Sequence, residues 1–142
     1  MSMRLDEAES RRRMAQARVA YLATVSGQAR PHLVPVTFDL TGSSIVIAVD
    51  QKPKSTTSLR RLHNIAGNNR VAVLAEHYDD NDWSALWWVR ADGSARILTD
   101  ASAREEPVRR LRAKYPRYQA DPPNGPVIWI DVDGWSGWSY AD

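Results

Sequence analysis

Short apolar runs separated by turn residues are the feature that most constrains the fold of this chain. The run Ser44–Val49 (SIVIAV) is rich in β-branched residues, which is typical of a buried central strand. Val19–Val25 reads as an earlier strand and ends in a Ser-Gly-Gln turn, after which Ala29–Leu40 follows. Because Ala29–Leu40 contains two prolines, which cannot donate to a strand ladder, it is predicted to be an edge or bulged strand. Three successive strands predict an antiparallel meander rather than a βαβ unit.

The rest of the chain alternates further strands with short helices. The predicted strands are Val71–Glu76, Ser84–Leu98, Val127–Val132 and Trp138–Tyr140; the predicted helices cover residues 5–18, 56–66 and 100–115; and loops are predicted at 78–83 and 116–126. Ser84–Leu98 is expected to bend where Ala91-Asp92-Gly93 interrupts it. About six strands with helices only between them predict a mainly β fold, a closed or split antiparallel β-barrel with peripheral helices.

Composition places the chain among globular proteins and excludes several chemistries. A length of 142 residues predicts a single domain spanning residues 1–142. Hydrophobic content of 43% and charged content of 25% are ordinary for such a domain. There is no leader and no apolar run of about 18 residues, so we expect a cytoplasmic location without a membrane partner. Because the chain has no Cys, disulfides, thiolate nucleophiles and Cys-based metal sites are excluded.

The segment 51–75 carries a one-sided charge. It contains Lys52, Lys54, Arg60, Arg61 and Arg70 but no Asp or Glu, in a chain where 19 Lys and Arg nearly balance 17 Asp and Glu. Its Lys-Pro-Lys loop is followed by four hydroxyl residues and then by apolar residues at helical spacing. This order indicates a capped helix start, where free N–H groups favour an anion. Two interpretations stay open: a phosphate-binding corner, or a solvated basic face that caps an ordinary helix.

No motif for metal or nucleophilic chemistry is present in the sequence. The three histidines stand on three different predicted elements without zinc-ligand spacing. The acidic loop YDDNDW lacks the EF-hand pattern, so a solvated loop is the simpler interpretation. Nucleophile elbows and the Walker and Rossmann glycine patterns are also missing. We therefore predict no metal site, and the positive features fit a protein whose cofactor supplies the reactivity.

Apolar and aromatic residues provide candidate walls for a flat cofactor ring. The candidates are Val34, Pro35, Val36, Trp87 and Trp88. Since neighbouring side chains on a strand face opposite ways, one Trp of the adjacent pair is expected to point inward and the other outward. An outward Trp is expected to meet a partner subunit or a ligand, although an ordinary exposed aromatic beside the core is the alternative.

Three pieces of sequence in this order carry a resemblance to a known family. They are RPHLVPV, the block KPK…RRLHNI…NRVAVL, and WWVRADGSARI, within a likeness that runs from about Ala17 to Trp138. The chain resembles the flavin and deazaflavin oxidoreductases of the pyridoxamine 5'-phosphate oxidase-like (PPOX-class) split barrel. It is most similar to the actinobacterial branch of probable coenzyme F420-dependent enzymes. Its spacing between Lys54 and Arg61 is longer than the compact basic arrangement of many relatives.

The resemblance implies a homodimer that binds one cofactor in each of two grooves between the barrels. In the family the basic loop and helix bind the cofactor phosphate, the strand after the first hairpin lies along the ring, and a later strand crosses the groove. The matching residues in this sequence are Lys52, Lys54, Arg60, Arg61 and Asn64 for the phosphate; His32, Val34, Pro35 and Val36 for the ring; and Trp87, Trp88 and Arg90 across the groove.

The implied activity is that of an F420-dependent oxidoreductase, which transfers a hydride between C5 of the deazaflavin and a conjugated organic substrate. Such a reaction requires no protein nucleophile, and His32 or Tyr140 is a candidate proton donor. An FMN-binding oxidase or reductase of the same fold is the first alternative. The surplus of Lys and Arg at 52–61, together with the Arg-rich helix at 109–117, favours F420 because its oligoglutamate tail is anionic.

A non-enzymatic protein is the second alternative, either a cofactor carrier or a nucleic-acid-binding barrel. Basic residues interleaved with Trp suit stacking on single strands. However, the basic residues cluster at one corner and the formal net charge is only +2, whereas nucleic-acid binders usually have a broad basic face. We therefore expect a small-molecule substrate and no nucleic-acid partner.

Overall fold

The computed structural model describes residues 3–49 and 56–141, the side chains of 56–59 excepted. The strands are β1 (Met3–Arg4), β2 (Ala20–Val25), β3 (Pro31–Val36), β4 (Asp39–Thr41), β5 (Ser44–Ala48), β6 (Arg70–His77), β7 (Trp87–Leu98) and β8 (Val127–Ser139). The helices are α1 (Glu7–Gln16), α2 (Thr56–Gly67), α3 (Ala101–Lys114) and α4 (Pro116–Ala120), with one 3-10 turn at Trp83–Ala85. Within this described part of the chain, no helix has the length and apolar character needed to cross a membrane.

The eight strands form one antiparallel sheet. Its order is β3-β2-β6-β7-β8-β5-β4, and β1 pairs with the last residues of β8. Inward side chains from β2, β5, β6, β7 and β8 meet in one hydrophobic core, so the sheet curls around it with the helices outside. The prediction of a mainly β, antiparallel split barrel with peripheral helices is confirmed.

Three details of the predicted elements are wrong. Residues 127–139 form one continuous strand instead of two, and residues 29–40 form two short strands instead of one. The predicted loop 116–126 begins with α4, which starts at a proline. Proline suits the first turn of a helix because its missing N–H has no intrahelical acceptor there.

Helix α1 packs on β8 through small residues. Ser10 is fully buried, and a Cβ on Gly137 would lie only 2.5 Å from the Ser10 Oγ and 3.1 Å from Val89 Cγ1. The backbone N–H of Leu5 donates to the Gly137 carbonyl over 3.0 Å, and Met14 on the same helix is fully buried. Gly137 is therefore the residue that lets the helix approach the strand.

Helix α3 is fixed to the other end of the sheet by two polar contacts. Tyr115, which caps its C-terminus, accepts a hydrogen bond from the Phe38 N–H over 3.1 Å. Its hydroxyl also lies 3.0 Å from the carbonyl oxygens of Arg18 and Phe38, either of which it can donate to. Arg110 donates to Asp39 Oδ2 over 2.8 Å, and both side chains are largely buried. Phe38, between β3 and β4, is fully buried, and its backbone groups pair with the Tyr115 hydroxyl instead of with a neighbouring strand.

Candidate functional site

A buried polar contact fixes α2 against the sheet. The Asn64 side-chain amide donates to Thr24 Oγ1 on β2 over 3.0 Å, and both residues are only 3% exposed. Buried polar groups are costly unless they are hydrogen-bonded, so this pair has a defined geometry. The contact sets how the C-terminal half of α2 lies on β2. Asn64 was predicted to serve the cofactor phosphate, and in the structure its amide is used to join the helix to the strand.

His32 lies on edge strand β3 directly opposite Thr24. Its Nδ1 is buried and has no hydrogen-bond partner among the described residues. Burial lowers the pKa of His32, and the positive charges of Arg60 and Arg61 lower it further. Both effects favour the neutral form of the imidazole. Thr24, which the sequence analysis did not select, lies opposite His32 in the strand register and accepts the hydrogen bond from Asn64.

Arg60 and Arg61 of α2 supply positive charge near His32. Arg60 is exposed, whereas Arg61 is partly buried and burial lowers its pKa. A guanidinium remains charged even so, and its attraction to an anion grows as the local dielectric falls. We name Arg60, Arg61 and His32 the basic corner. Lys52 and Lys54, predicted to belong to the same site, lie outside the described residues.

The remaining predicted ring contacts of β3 divide between the two faces of the sheet. Val34 and Val36 point to the inner face with His32, and Val36 is only 6% exposed in the hydrophobic core. Val34 also packs against that core, with part of its surface accessible. Pro35 points to the opposite, outer face and is exposed. Of the predicted ring contacts on β3, His32 and Val34 are therefore the ones that lie on the inner face with part of their surface accessible.

The adjacent tryptophans of β7 point in opposite directions, as the strand alternation predicts. Trp87 packs against the core, with the Arg13 guanidinium 5.6 Å from its ring centroid. Trp88 lies on the outer face, with Arg90 above it at 5.9 Å. Arg90 is also 3.3 Å from the Asp92 carboxylate. Trp88 and Arg90 are therefore on the face of the sheet that lies away from His32.

The outer face of the sheet carries a group of apolar side chains beside the charged Glu76, Arg90 and Asp92. Strand register places the following side chains on it: Tyr21, Ala23, Leu33, Pro35, Leu74, Trp88 and Trp138. Leu33 is 66% exposed, the largest exposed fraction among the exposed large hydrophobic residues of the described chain. An exposed large apolar side chain such as Leu33, next to the exposed Pro35, marks this part of the face as a candidate contact surface.

The arginines of α3 lie apart from the basic corner. Helix α2 packs on β2 and β7, whereas α3 packs on β4, β5 and β8. Arg109 and Arg112 line a groove of about 600 Å³ between α3 and α4, and Arg110 is engaged with Asp39. The Arg-rich helix therefore gives weaker support for an anionic cofactor tail than its sequence suggested. Among the described residues, no group of His, Asp and Glu is arranged to hold a metal ion.

These features define a split barrel with a polar, positively charged corner beside an edge strand. A model of the pyridoxamine 5'-phosphate oxidase family matches residues 6–139, almost the whole chain. The protein belongs to the pyridoxamine 5'-phosphate oxidase family. A search of curated protein sequences finds no significant match.

Solved structures share the fold at low sequence identity. A FAD-binding protein from Mesorhizobium loti superposes with a TM-score of 0.78 at 15% identity, covering 99% of both chains. The conserved hypothetical protein Rv2991 from Mycobacterium tuberculosis gives 0.72 at 21% identity, covering 95% of this chain and 85% of its own. A FAD-binding protein from Mycobacterium smegmatis gives 0.65 at 14% identity, covering 96% and 98%. At these identities the likeness establishes the fold alone.

Proposed function

We propose that this protein is an oxidoreductase that binds a flavin or deazaflavin cofactor, with the anionic part of the cofactor at the basic corner. The observation that carries the proposal is that α2, packed on β2, places Arg60 and Arg61 near enough to act electrostatically on His32 of the neighbouring strand β3. Two guanidiniums beside an edge strand that carries His32 fit a phosphate, since arginine matches phosphate oxygens in geometry and charge. Membership of the oxidase family supports the same interpretation.

The protein's part in this chemistry is binding and orientation. When bound, the cofactor supplies a hydride, from C5 of a reduced deazaflavin or N5 of a reduced flavin. Arg60 and Arg61 hold its anionic group, while the Asn64–Thr24 contact keeps α2 in register with β2. The exposed part of Val34 offers an apolar wall on the same face. The role of His32 or Tyr140 as a proton donor to the substrate stays a prediction.

Two cofactors are candidates for the site. Coenzyme F420 is the one that the sequence resemblance implies, with a conjugated organic molecule as the hydride acceptor. FMN is the second candidate, and it is favoured by the two structurally similar proteins that are described as FAD-binding.

A binding titration of the apo-protein against F420 and FMN distinguishes the candidates. Trp87 and Trp88 are among six tryptophans in the chain, so quenching of intrinsic fluorescence is the readout. We expect micromolar binding of F420 and much weaker binding of FMN. The reverse order would assign the protein to the flavin branch, and binding of neither cofactor would contradict the proposed function.

We further propose that the protein is a homodimer whose subunits meet through the outer face. In a single chain this face exposes Leu33 and Pro35 to solvent and leaves Trp88 partly accessible, and exposed apolar surface is unfavourable. Burial in a symmetric interface would cover these side chains. It would also bring Trp88 and Arg90 of one subunit towards its partner, as the family resemblance implies.

Replacing Leu33 with glutamate is expected to convert the dimer into monomers at micromolar concentration. A charge at the centre of an apolar interface is left desolvated and unpaired, which costs several kcal/mol. Sedimentation velocity is the measurement, with the wild type at twice the 16.0 kDa chain mass. Ala103→Glu, at an exposed position of α3, is the matched control and should leave the dimer intact. A wild type that stays monomeric well above micromolar concentration would refute the interface.

A further inference from the structure

The proposed function does not explain the environment of His32. Its Nδ1 is buried without a hydrogen-bond partner among the described residues. An unsatisfied buried polar atom in a folded protein calls for a specific explanation, because it costs free energy. A buried histidine nitrogen is normally paired with a carbonyl or hydroxyl group. The Thr24 hydroxyl, opposite His32, accepts a hydrogen bond from Asn64, and among the described residues it makes no hydrogen bond to Nδ1.

Within the described part of the chain, the charged groups that shift the pKa of His32 are both positive. Arg60 and Arg61, both on α2, are the described charged groups that act on it, and β2 places only the uncharged Thr24 opposite. Both arginines oppose a positive charge on the imidazole, and so does burial. An anion bound by Arg60 and Arg61 would offset the electrostatic effect of these two arginines on His32. The same binding event would then make protonation of His32 favourable.

We propose that anion binding at the basic corner is coupled to uptake of one solvent proton by His32, so that the imidazole becomes a third cation of the site only when the anion is present. The coupling rests on the proposed function, since it concerns the site assigned to the cofactor phosphate. Linkage then requires that the anion binds more tightly as the pH falls through the range in which His32 titrates. Without the anion, His32 is neutral and the basic corner carries one positive charge fewer than it does with the anion bound. Protonation of His32 thus sets how strongly the affinity of the site depends on the negative charge of the ligand.

Sulfate is the probe that tests the coupling. It stays a dianion throughout the relevant range, whereas a phosphate monoester loses charge near pH 6 and would confuse the result. The experiment is an NMR titration of the histidine Cε1–H signals of the full chain between pH 5 and pH 8.5 (roughly the range in which histidine changes charge), with sodium sulfate or with sodium chloride of equal ionic strength. The His32 signal is assigned from its loss in His32→Gln, and His77, exposed at the end of β6, is the internal reference.

The expected result is that sulfate moves the midpoint of His32 to higher pH, while chloride does not. Sulfate affinity of the wild type should rise about tenfold between pH 8 and pH 6. In His32→Gln the affinity should become independent of pH across this interval. Because glutamine keeps a polar side chain at the same position, circular dichroism and thermal unfolding should show that this variant folds normally.

The outcomes separate this inference from the proposed function. If FMN or F420 binds but sulfate leaves the His32 midpoint unchanged, the coupling is wrong and the cofactor assignment stands. If sulfate shifts the midpoint while neither cofactor binds, the corner is a proton-linked anion site and the proposed function is wrong. Equal pH dependence of sulfate affinity in the wild type and His32→Gln would also overturn the coupling.

Discussion

Replacing Arg61 with glutamine is expected to weaken cofactor binding about 100-fold. Arg61 is partly buried, and burial already lowers its pKa, so its charge is poorly screened by water. A charge-assisted hydrogen bond to phosphate in such surroundings contributes about 2–3 kcal/mol, which corresponds to roughly two orders of magnitude in affinity. The measurement is fluorescence titration with whichever of F420 and FMN binds the wild type. The variant should lose affinity without losing its folded circular dichroism spectrum.

The two neighbouring arginines should differ in their effects. Arg60 is exposed, and screened surface charges contribute little, so Arg60→Gln should reduce affinity only a few-fold and less so at high salt. Arg109→Gln removes the same charge from α3, which packs on other strands, and should change affinity less than twofold. If Arg60→Gln and Arg61→Gln lost the same cofactor affinity, burial would not determine how much each guanidinium contributes to binding. Unchanged affinity in both variants would place the phosphate elsewhere.

Alternation and turn residues were enough to predict the barrel, but they failed at β8. Asp133-Gly134 and Ser136-Gly137 interrupt the apolar pattern, and the sequence therefore suggested two strands. In the structure Asp133 is the extra residue of an irregularity opposite Asp92 and Gly93, and it pairs with Arg70 over 2.6 Å. Gly137 is present because α1 lies against it. Both features depend on neighbours distant in sequence, which no local pattern contains.

Only the local features of the basic corner could be predicted from the sequence. A charge window and a helix start are local features, and they selected Arg60 and Arg61. That His32 would be their neighbour follows from how α2 docks on β2, which depends on the buried contact of Asn64 with Thr24. The sequence also could not show which side chains of β3 are accessible on the face that carries His32. Register shows that Pro35 faces away from His32 and that Val36 is committed to the core.

Replacing Gly93 with alanine is expected to destabilise the fold by about 3 kcal/mol, because the close approach of β7 and β8 leaves no room for a side chain. A Cβ at this position would overlap the backbone oxygen of Asp131 and lie 2.9 Å from Ile130 Cγ2. A backbone oxygen cannot turn aside as a side chain can, so the strands must separate or lose their register. We expect the midpoint of thermal unfolding, measured by circular dichroism, to fall by about 10 °C.

Gly134 provides the matched control within the same irregularity. It lies opposite Asp92 on β8, and a Cβ there would meet only the Asp92 side chain at 3.8 Å, an ordinary contact. Gly134→Ala should therefore change the free energy of unfolding by less than about 0.5 kcal/mol. Because β7 carries Trp88 and Arg90 beyond the irregularity, Gly93→Ala should also weaken the proposed dimer, while Gly134→Ala should not. Equal stability of the two variants would mean that the strands relax around the added methyl group, and the steric argument for Gly93 would then be wrong.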